Sequence, residues 1–214
     1  MICRKCSLFF KSIPLFLNSV MTQLPTLVFA TSNKGKLHEL QLLLGPKMKL
    51  VSLEELNFFE DIPETTPTLE GNAEQKARFI YNRFGLPCFS DDSGLFIEHL
   101  NGAPGVDSAH FSGSRDDGKN IAHVLSLLKG VSNRSAYFKT VFCLVIDGLA
   151  HYFEGSVSGI ISDQPKGTGG FGYDPIFIPE GYTQTFGELS PSVKKEISHR
   201  SRATKQLVEF LQKQ

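Results

Sequence analysis

Leu27-Val28-Phe29-Ala30-Thr31-Ser32-Asn33-Lys34-Gly35-Lys36, followed by Leu37, Leu40, Leu43 and Leu44, sets the fold class. The short apolar run reads as a buried strand. Thr31-Ser32-Asn33 offers good N-cap residues, the leucines recur at helical spacing, and Gly45-Pro46 stops the helix. The unit is strand, polar loop, helix. Further along, Leu69, Ala73, Ala77, Ile80 and Phe84 mark a second helix, ended by Gly85 and Pro87. Pro87-Cys88-Phe89-Ser90 and Leu95-Phe96-Ile97 read as two strand pieces around a loop, Asp91-Asp92-Ser93-Gly94. Asn101 to Gly105 is a turn cluster, and Ile121, Val124, Leu125 and Leu128 mark a third helix with Gly130 as its C-cap. Tyr137 to Ile146 and Tyr152 to Ile161 are strands joined through Asp147-Gly148, a hairpin signal. Ile176 to Ile178 is a short strand, and a last helix from Ser198 carries Ala203, Leu207, Phe210 and Leu211 on one stripe. Strands and helices mix along the whole chain with no repeat and no linker, which predicts an α/β domain with a mixed sheet.

Composition bounds the function. The chain has 214 residues, 22 basic against 22 acidic side chains and 41% hydrophobic residues. That suits one generous domain or two lobes sharing a core. A zero net charge argues against long nucleic-acid polymers and anionic membranes as partners, while local cations can still hold a small anionic ligand. No apolar run approaches the length of a membrane span. The four cysteines, at 3, 6, 88 and 143, are too few for a disulfide scaffold and point to a reducing, cytoplasmic setting. Cys3 and Cys6 have the spacing of half a zinc site with no matching second pair, and Cys88 and Cys143 read as buried small residues. Residues 1–20 carry Arg4, Lys5 and Lys11 but no acid, a superficial likeness to a targeting peptide that Lys11 and Pro14 interrupt. They read as an extension outside the fold, with translation starting at Met21 and a single two-lobed domain over 21–214.

Four segments carry candidate chemistry. A strand-loop-helix junction gathers N–H groups and the positive end of the helix dipole, so Thr31 to Lys36 is a candidate anion site. The P-loop pattern fails there, because Ala30 and Leu37 replace its first Gly and its Ser/Thr. Asp91 and Asp92 sit among apolar residues, where a buried acid needs a partner such as magnesium, or works as a proton acceptor. Gly167 to Pro175 contains G-x-G-x-x-G, but Asp174-Pro175 and a β-type run follow where a dinucleotide fingerprint requires a helix. Phe171 in that loop can offer its face to a base. His199 and Arg200 fall in the first turn of the last helix, where cations oppose the dipole and a polar or anionic ligand would compensate. His38 and His123 lie within helical patterns and read as structural or surface residues.

Taken in order, Thr31-Ser32-Asn33-Lys34-Gly35-Lys36, Ser90-Asp91-Asp92-Ser93-Gly94, Gly102-Ala103-Pro104-Gly105, Gly167 through Pro175 and Ile197-Ser198-His199-Arg200 resemble the inosine triphosphate pyrophosphatases, also described as dITP/XTP pyrophosphatases. The resemblance implies a two-lobed α/β fold with a long central sheet, a nucleotide cleft between the lobes, a homodimer and a magnesium requirement. It implies cleavage of ITP, dITP or XTP to the monophosphate and pyrophosphate. Carried over residue by residue, Thr31, Ser32, Asn33, Lys34, Gly35, Lys36 and Ser93 would hold the triphosphate. Asp92 would be the catalytic carboxylate and a metal ligand, with Glu64 a second metal-binding acid among its neighbours Glu60, Asp61 and Glu70. Phe171, Gly172, Tyr173, Asp174, Lys194, His199 and Arg200 would complete the nucleotide site. A pyrophosphatase for another modified nucleotide, a nucleotide-binding module without hydrolysis, and an NAD enzyme are the competing readings.

Overall fold

The computed structural model describes residues 26–44 and 49–213. The N-terminal extension, the Met21 start, the Cys3–Cys6 pair and the Gly45-Pro46 stop lie outside the described residues.

Six strands form one mixed sheet. In chain order they are β1 (Thr26–Phe29), β2 (Lys49–Ser52), β3 (Cys88–Ile97), β4 (Ser135–Ile146), β5 (Leu149–Ile161) and β6 (Phe177–Pro179). Across the sheet the order is β2-β1-β3-β4-β5-β6. β1 runs parallel to β2 and β3, and the remaining pairs are antiparallel. The helices are α1 (Lys34–Leu44), α2 (Leu69–Phe84), α3 (Asp117–Leu127), α4 (Pro191–Ile197) and α5 (His199–Leu211). β2 and α4 carry no clear periodicity and are not foreseen by the pattern. Among the described residues no helix is long and apolar enough to cross a membrane.

Local signals place most boundaries. Thr68 caps α2 by accepting from the Gly71 N–H, and Gly85 closes it at φ 66°. Asp147 and Gly148 join β4 to β5 with φ of 51° and 77°, the left-handed pair that a two-residue hairpin needs. α3 stops at Leu127 with Leu128 as its cap, so Gly130, at φ 75°, follows the helix rather than capping it. A 3-10 turn over Asp174–Ile176 precedes the short β6.

One expectation is overturned. Asp91 to Gly94 is not a loop between two strands but the middle of the continuous β3. β4 pairs with every residue across it, from Ser90↔Cys143 to Gly94↔Lys139, and this ladder overrides the weak strand propensity of Asp, Ser and Gly.

β3 also joins two cores. Near its start, Phe89 packs with Phe29, Leu40, Phe142 and Leu207 under α1 and α5, while Cys88 faces Ile80 and Phe58 on the α2 side. Near its end, Leu95 and Ile97 pack with Val124, Leu128, Phe138 and Phe177 in a second cluster around α3 and β6. Asp91, Asp92 and Ser93 lie on β3 between these two cores.

Candidate active site

The edge of β3 explains why polar side chains gather here. β1 pairs with β3 only at Cys88 and Phe89, and the chain then turns off into α1. Farther along, Leu95 and Ile97 donate their N–H groups to Ser108 Oγ and the Ala103 carbonyl. Between these two coverings, residues 91–93 have β4 on one side and, among the described residues, no strand on the other. Successive side chains on a strand point to opposite faces, so Asp91 faces α1 and α5 while Asp92 faces α2.

Asp91 is fully buried and collects the cations of its face. Its Oδ2 lies 3.0 Å from Lys36 Nζ and 3.7 Å from Arg200 Nε, and accepts the Ser93 hydroxyl at 3.0 Å. Burial alone would raise its pKa, but Lys36, Arg200 and Lys76 outweigh burial and hold the carboxyl below its usual range. The compensation expected for Arg200 at the helix N-terminus therefore comes from within the protein. Lys36, itself desolvated, has its ammonium pKa lowered despite Asp91.

Asp92 has the opposite balance. It accepts from Asn72 Nδ2 at 3.2 Å and sits 3.7 Å from Lys76 Nζ, yet desolvation outweighs these partners and pushes its carboxyl up. Two adjacent acids thus differ in character because one owns its cations and the other borrows them. Lys76 is pulled down by burial, but Asp92, Glu64 and Asp91 together raise it, so it stays charged. Glu64 contacts the same ammonium and lies 3.8 Å from Arg115. Of its acidic neighbours, Glu60 is spent on Arg83 and Glu70 on Lys139.

A divalent cation fits this donor set. Glu64 and Asp92 already share one cation, Lys76, so their oxygens converge on a cation-binding point. Magnesium takes one or two carboxylates together with substrate phosphate oxygens. Among the described residues no group of three or more His, Cys, Asp or Glu could hold a metal by protein ligands alone, so phosphate would complete the shell.

The Thr31 to Lys36 loop is more self-contained than its pattern suggests. Asn33 Oδ1 accepts from the Gly35 and Lys36 N–H groups at 2.9 and 3.1 Å, and Thr31 Oγ1 accepts from the Asn33 N–H. Two donors of the expected anion cradle are therefore capped from inside. Ser32 and Lys34 are exposed, and Lys36 turns in toward Asp91. Ser93 also meets Thr140 Oγ1 at 2.6 Å and Arg200 Nη2 at 3.4 Å.

The glycine loop closes over the first loop. A Cβ on Gly35 would stand 3.1 Å from the Phe171 ring, so the two segments touch. Lys194 Nζ and Arg200 Cζ lie 5.2 and 5.1 Å from the centre of that ring, within cation–π range. Asp174 is buried and serves the loop, accepting from the Phe171 N–H at 2.8 Å and from Lys194 at 2.7 Å. Gly172 donates its N–H to Asp117 at 2.7 Å. Tyr173 is buried in the far core, its hydroxyl donating to the Ser108 carbonyl. His199 stacks on Phe138 at 4.8 Å, and its buried Nδ1 has no hydrogen-bond partner among the described residues. Burial, and then Arg200, Lys194 and Lys36, keep its pKa well below 6.5. His38 is exposed and His123 half-buried.

The fold thus gathers Lys36, Asp91, Asp92, Ser93, Phe171 and Arg200 at the middle of β3. Sequence reading passed over Asn72, Lys76, Thr140, Arg115 and Asp117. Asn72 and Lys76 had a usable signal: they are polar residues on the same buried stripe of α2 as Leu69, Ala73, Ala77 and Ile80.

Known proteins are similar to this chain in sequence and in fold. A dITP/XTP pyrophosphatase of Porphyromonas gingivalis is 48% identical over 187 residues, covering 86% of this chain and 96% of its own. A HAM1 protein from Coxiella burnetii superposes with a TM-score of 0.81 at 39% identity, over 88% of this chain and 99% of that one. A nucleoside-triphosphatase / dITP/XTP pyrophosphatase from Mycobacterium abscessus gives 0.71 at 41% identity, over 86% and 98%. The Ham1 family model matches residues 27–210, from within β1 to within α5, and the chain belongs to that family.

Proposed function

We propose that this protein hydrolyses non-standard purine nucleoside triphosphates, ITP, dITP and XTP, to the monophosphate and pyrophosphate. The observation that carries the chemistry is Asp92: a carboxyl pushed up by burial, at the exposed edge of β3, held by Asn72 and Lys76. A base with a raised pKa removes a proton from water more effectively. Asp92 takes the proton of the water that attacks the α-phosphorus. The bond from that phosphorus to the bridging oxygen breaks, and pyrophosphate leaves.

Lys36 beside Asp91, and Lys76 and Ser93 beside Asp92, hold the triphosphate, with the Thr31 to Lys36 loop closing one end. Glu64 and Asp92 would hold magnesium, which when bound neutralises phosphate charge and supports the developing negative charge on the oxygens. Phe171 stacks on the base, with Asp174 and Lys194 bracing its loop. Arg200 and His199 face the purine edge. A donor there donates to a 6-oxo group and rejects adenine, whose amino group would leave two donors face to face. The reading includes a homodimer and a cytoplasmic setting; the two described cysteines are free and buried, with the Cys143 thiol pushed up to about 12 by burial.

The deciding experiment incubates ITP, XTP, dITP, ATP and GTP separately with magnesium and resolves the products by chromatography. Monophosphate and pyrophosphate from ITP, dITP and XTP, with ATP and GTP largely untouched, is the expected result. Diphosphate and orthophosphate would place attack at the γ-phosphorus and overturn the mechanism. No turnover would shift the assignment to another nucleotide or to a binding module.

A further inference from the structure

Phe171 sits at the tip of a glycine-rich loop, where backbone freedom works against a fixed stacking surface. The base of the loop is tied down: the Lys166 N–H donates to the Pro175 carbonyl, and the Gly169 N–H to Gly187. At the tip, two consecutive N–H groups meet carboxylates. The Phe171 N–H donates to Asp174, three residues away in the same loop, at 2.8 Å. The Gly172 N–H donates to Asp117 Oδ2 at 2.7 Å, and Asp117 stands 55 residues away in the first turn of α3.

Asp117 has no need of Gly172 for its ordinary work. An acid in a first turn already favours the helix dipole, and the cap itself comes from Asp116, which accepts the Lys119 N–H at 2.8 Å. Its reach to the loop is therefore an added contact, joining α3 to the tip of a segment that Tyr173 already anchors in the same core through the Ser108 carbonyl. A charge-assisted bond at Gly172 fixes the peptide plane next to Phe171, and with it the direction of the ring above Gly35.

We propose that Asp117 is a positioning residue for the aromatic platform, holding Phe171 in the orientation that receives the purine. It touches neither substrate nor reacting atoms. The proposal rests on Phe171 being the base-stacking residue, and the test separates the two ideas.

KM and kcat for ITP are measured for Asp117→Ala, Asp117→Asn, Phe171→Ala and the Asp117→Ala/Phe171→Ala double variant, with thermal unfolding of each. Asp117→Ala raises KM by about tenfold, the scale of one lost charge-assisted hydrogen bond, with kcat within about twofold and little change in Tm. Asp117→Asn keeps an acceptor oxygen and stays near the parent KM. In the Phe171→Ala background the loss of Asp117 has no further effect, because the platform it holds is gone. Unchanged KM in Phe171→Ala would remove the stacking reading and the proposal with it. A raised KM in Phe171→Ala, combined with an unaffected Asp117→Ala or with effects that simply add, overturns the positioning role and leaves stacking intact. A fall in Tm and kcat at constant KM in Asp117→Ala would make the residue a helix-end stabiliser and overturn the proposal as well.

Discussion

Asp91 and Asp92 show how far neighbouring residues of one type can diverge. A strand turns them to opposite faces. Asp91 meets Lys36, Arg200 and the Ser93 hydroxyl and becomes a fixed anion, whereas Asp92 meets an amide and a shared lysine and keeps a raised pKa. Their replacements should therefore behave differently. Asp92→Asn keeps shape and can still bond Asn72 by an amide flip, so Tm is expected within a few degrees of the parent. Pyrophosphate release from ITP should drop by about 10²–10⁴-fold, the usual contribution of a positioned general base. Near-parental turnover in that variant would remove Asp92 from the chemistry. Asp91→Ala leaves Lys36 and Arg200 buried without their carboxylate, and breaking such a pair costs about 3–5 kcal/mol. Urea unfolding should show that loss whether or not substrate is present. Sequence alone flagged both acids, but not which of them has its pKa raised and which lowered, because the deciding partners come from α1, α2 and α5.

At the scale of elements, the legible parts were those with a local cause. The helical stripe and caps of α2, the Asp147-Gly148 hairpin and the Ser198 cap of α5 follow from residues a few positions apart. β2 and α4, four and seven residues long, are stabilised by what they pack against, and short sequences carry little periodicity of their own. β3 misled for a related reason: its polar centre is held in place by β4, a partner more than forty residues away. The docking of α5 is likewise invisible in sequence. Its first turn, which carries His199 and Arg200, rests on β5 at Gly155, where a Cβ would lie 2.0 Å from the His199 carbonyl oxygen. Any side chain there must push the helix away from the sheet. Gly155→Ala is expected to destabilise by about 1–3 kcal/mol, the usual cost of overpacking, and to move Arg200 off Asp91 and Phe171. The discriminating measurement is kcat/KM for ITP against ATP: the ratio should fall, since the residues proposed to face the base ride on the displaced turn. A lower Tm with the ratio intact would show that α5 tolerates the shift.

For the whole molecule, a buried neutral histidine couples stability to pH. His199 lies against Phe138 with Lys36, Lys194 and Arg200 nearby, so desolvation first and those cations second resist its protonation. The unfolded chain has no such resistance and takes up the proton near pH 6.5. Below that value the unfolded state binds more protons than the folded state, so unfolding becomes easier as the pH falls and the stabilisation is fully present only above it. The effect amounts to about 1 kcal/mol between pH 6.5 and 5.5. Asp92 pulls the other way, since a carboxyl raised in the fold binds its proton more readily there than in the unfolded chain. A comparison of variants separates the two, because Asp92 is common to both. His199→Asn removes the imidazole and leaves the acids in place. Urea unfolding at pH 7.0, 6.5, 6.0 and 5.5 should show the parent losing stability faster than His199→Asn toward the acid end, whatever the offset between them at neutral pH. Parallel curves would mean that the imidazole gains its proton inside the fold as easily as outside, and that the cationic side of the nucleotide cleft does not hold it neutral.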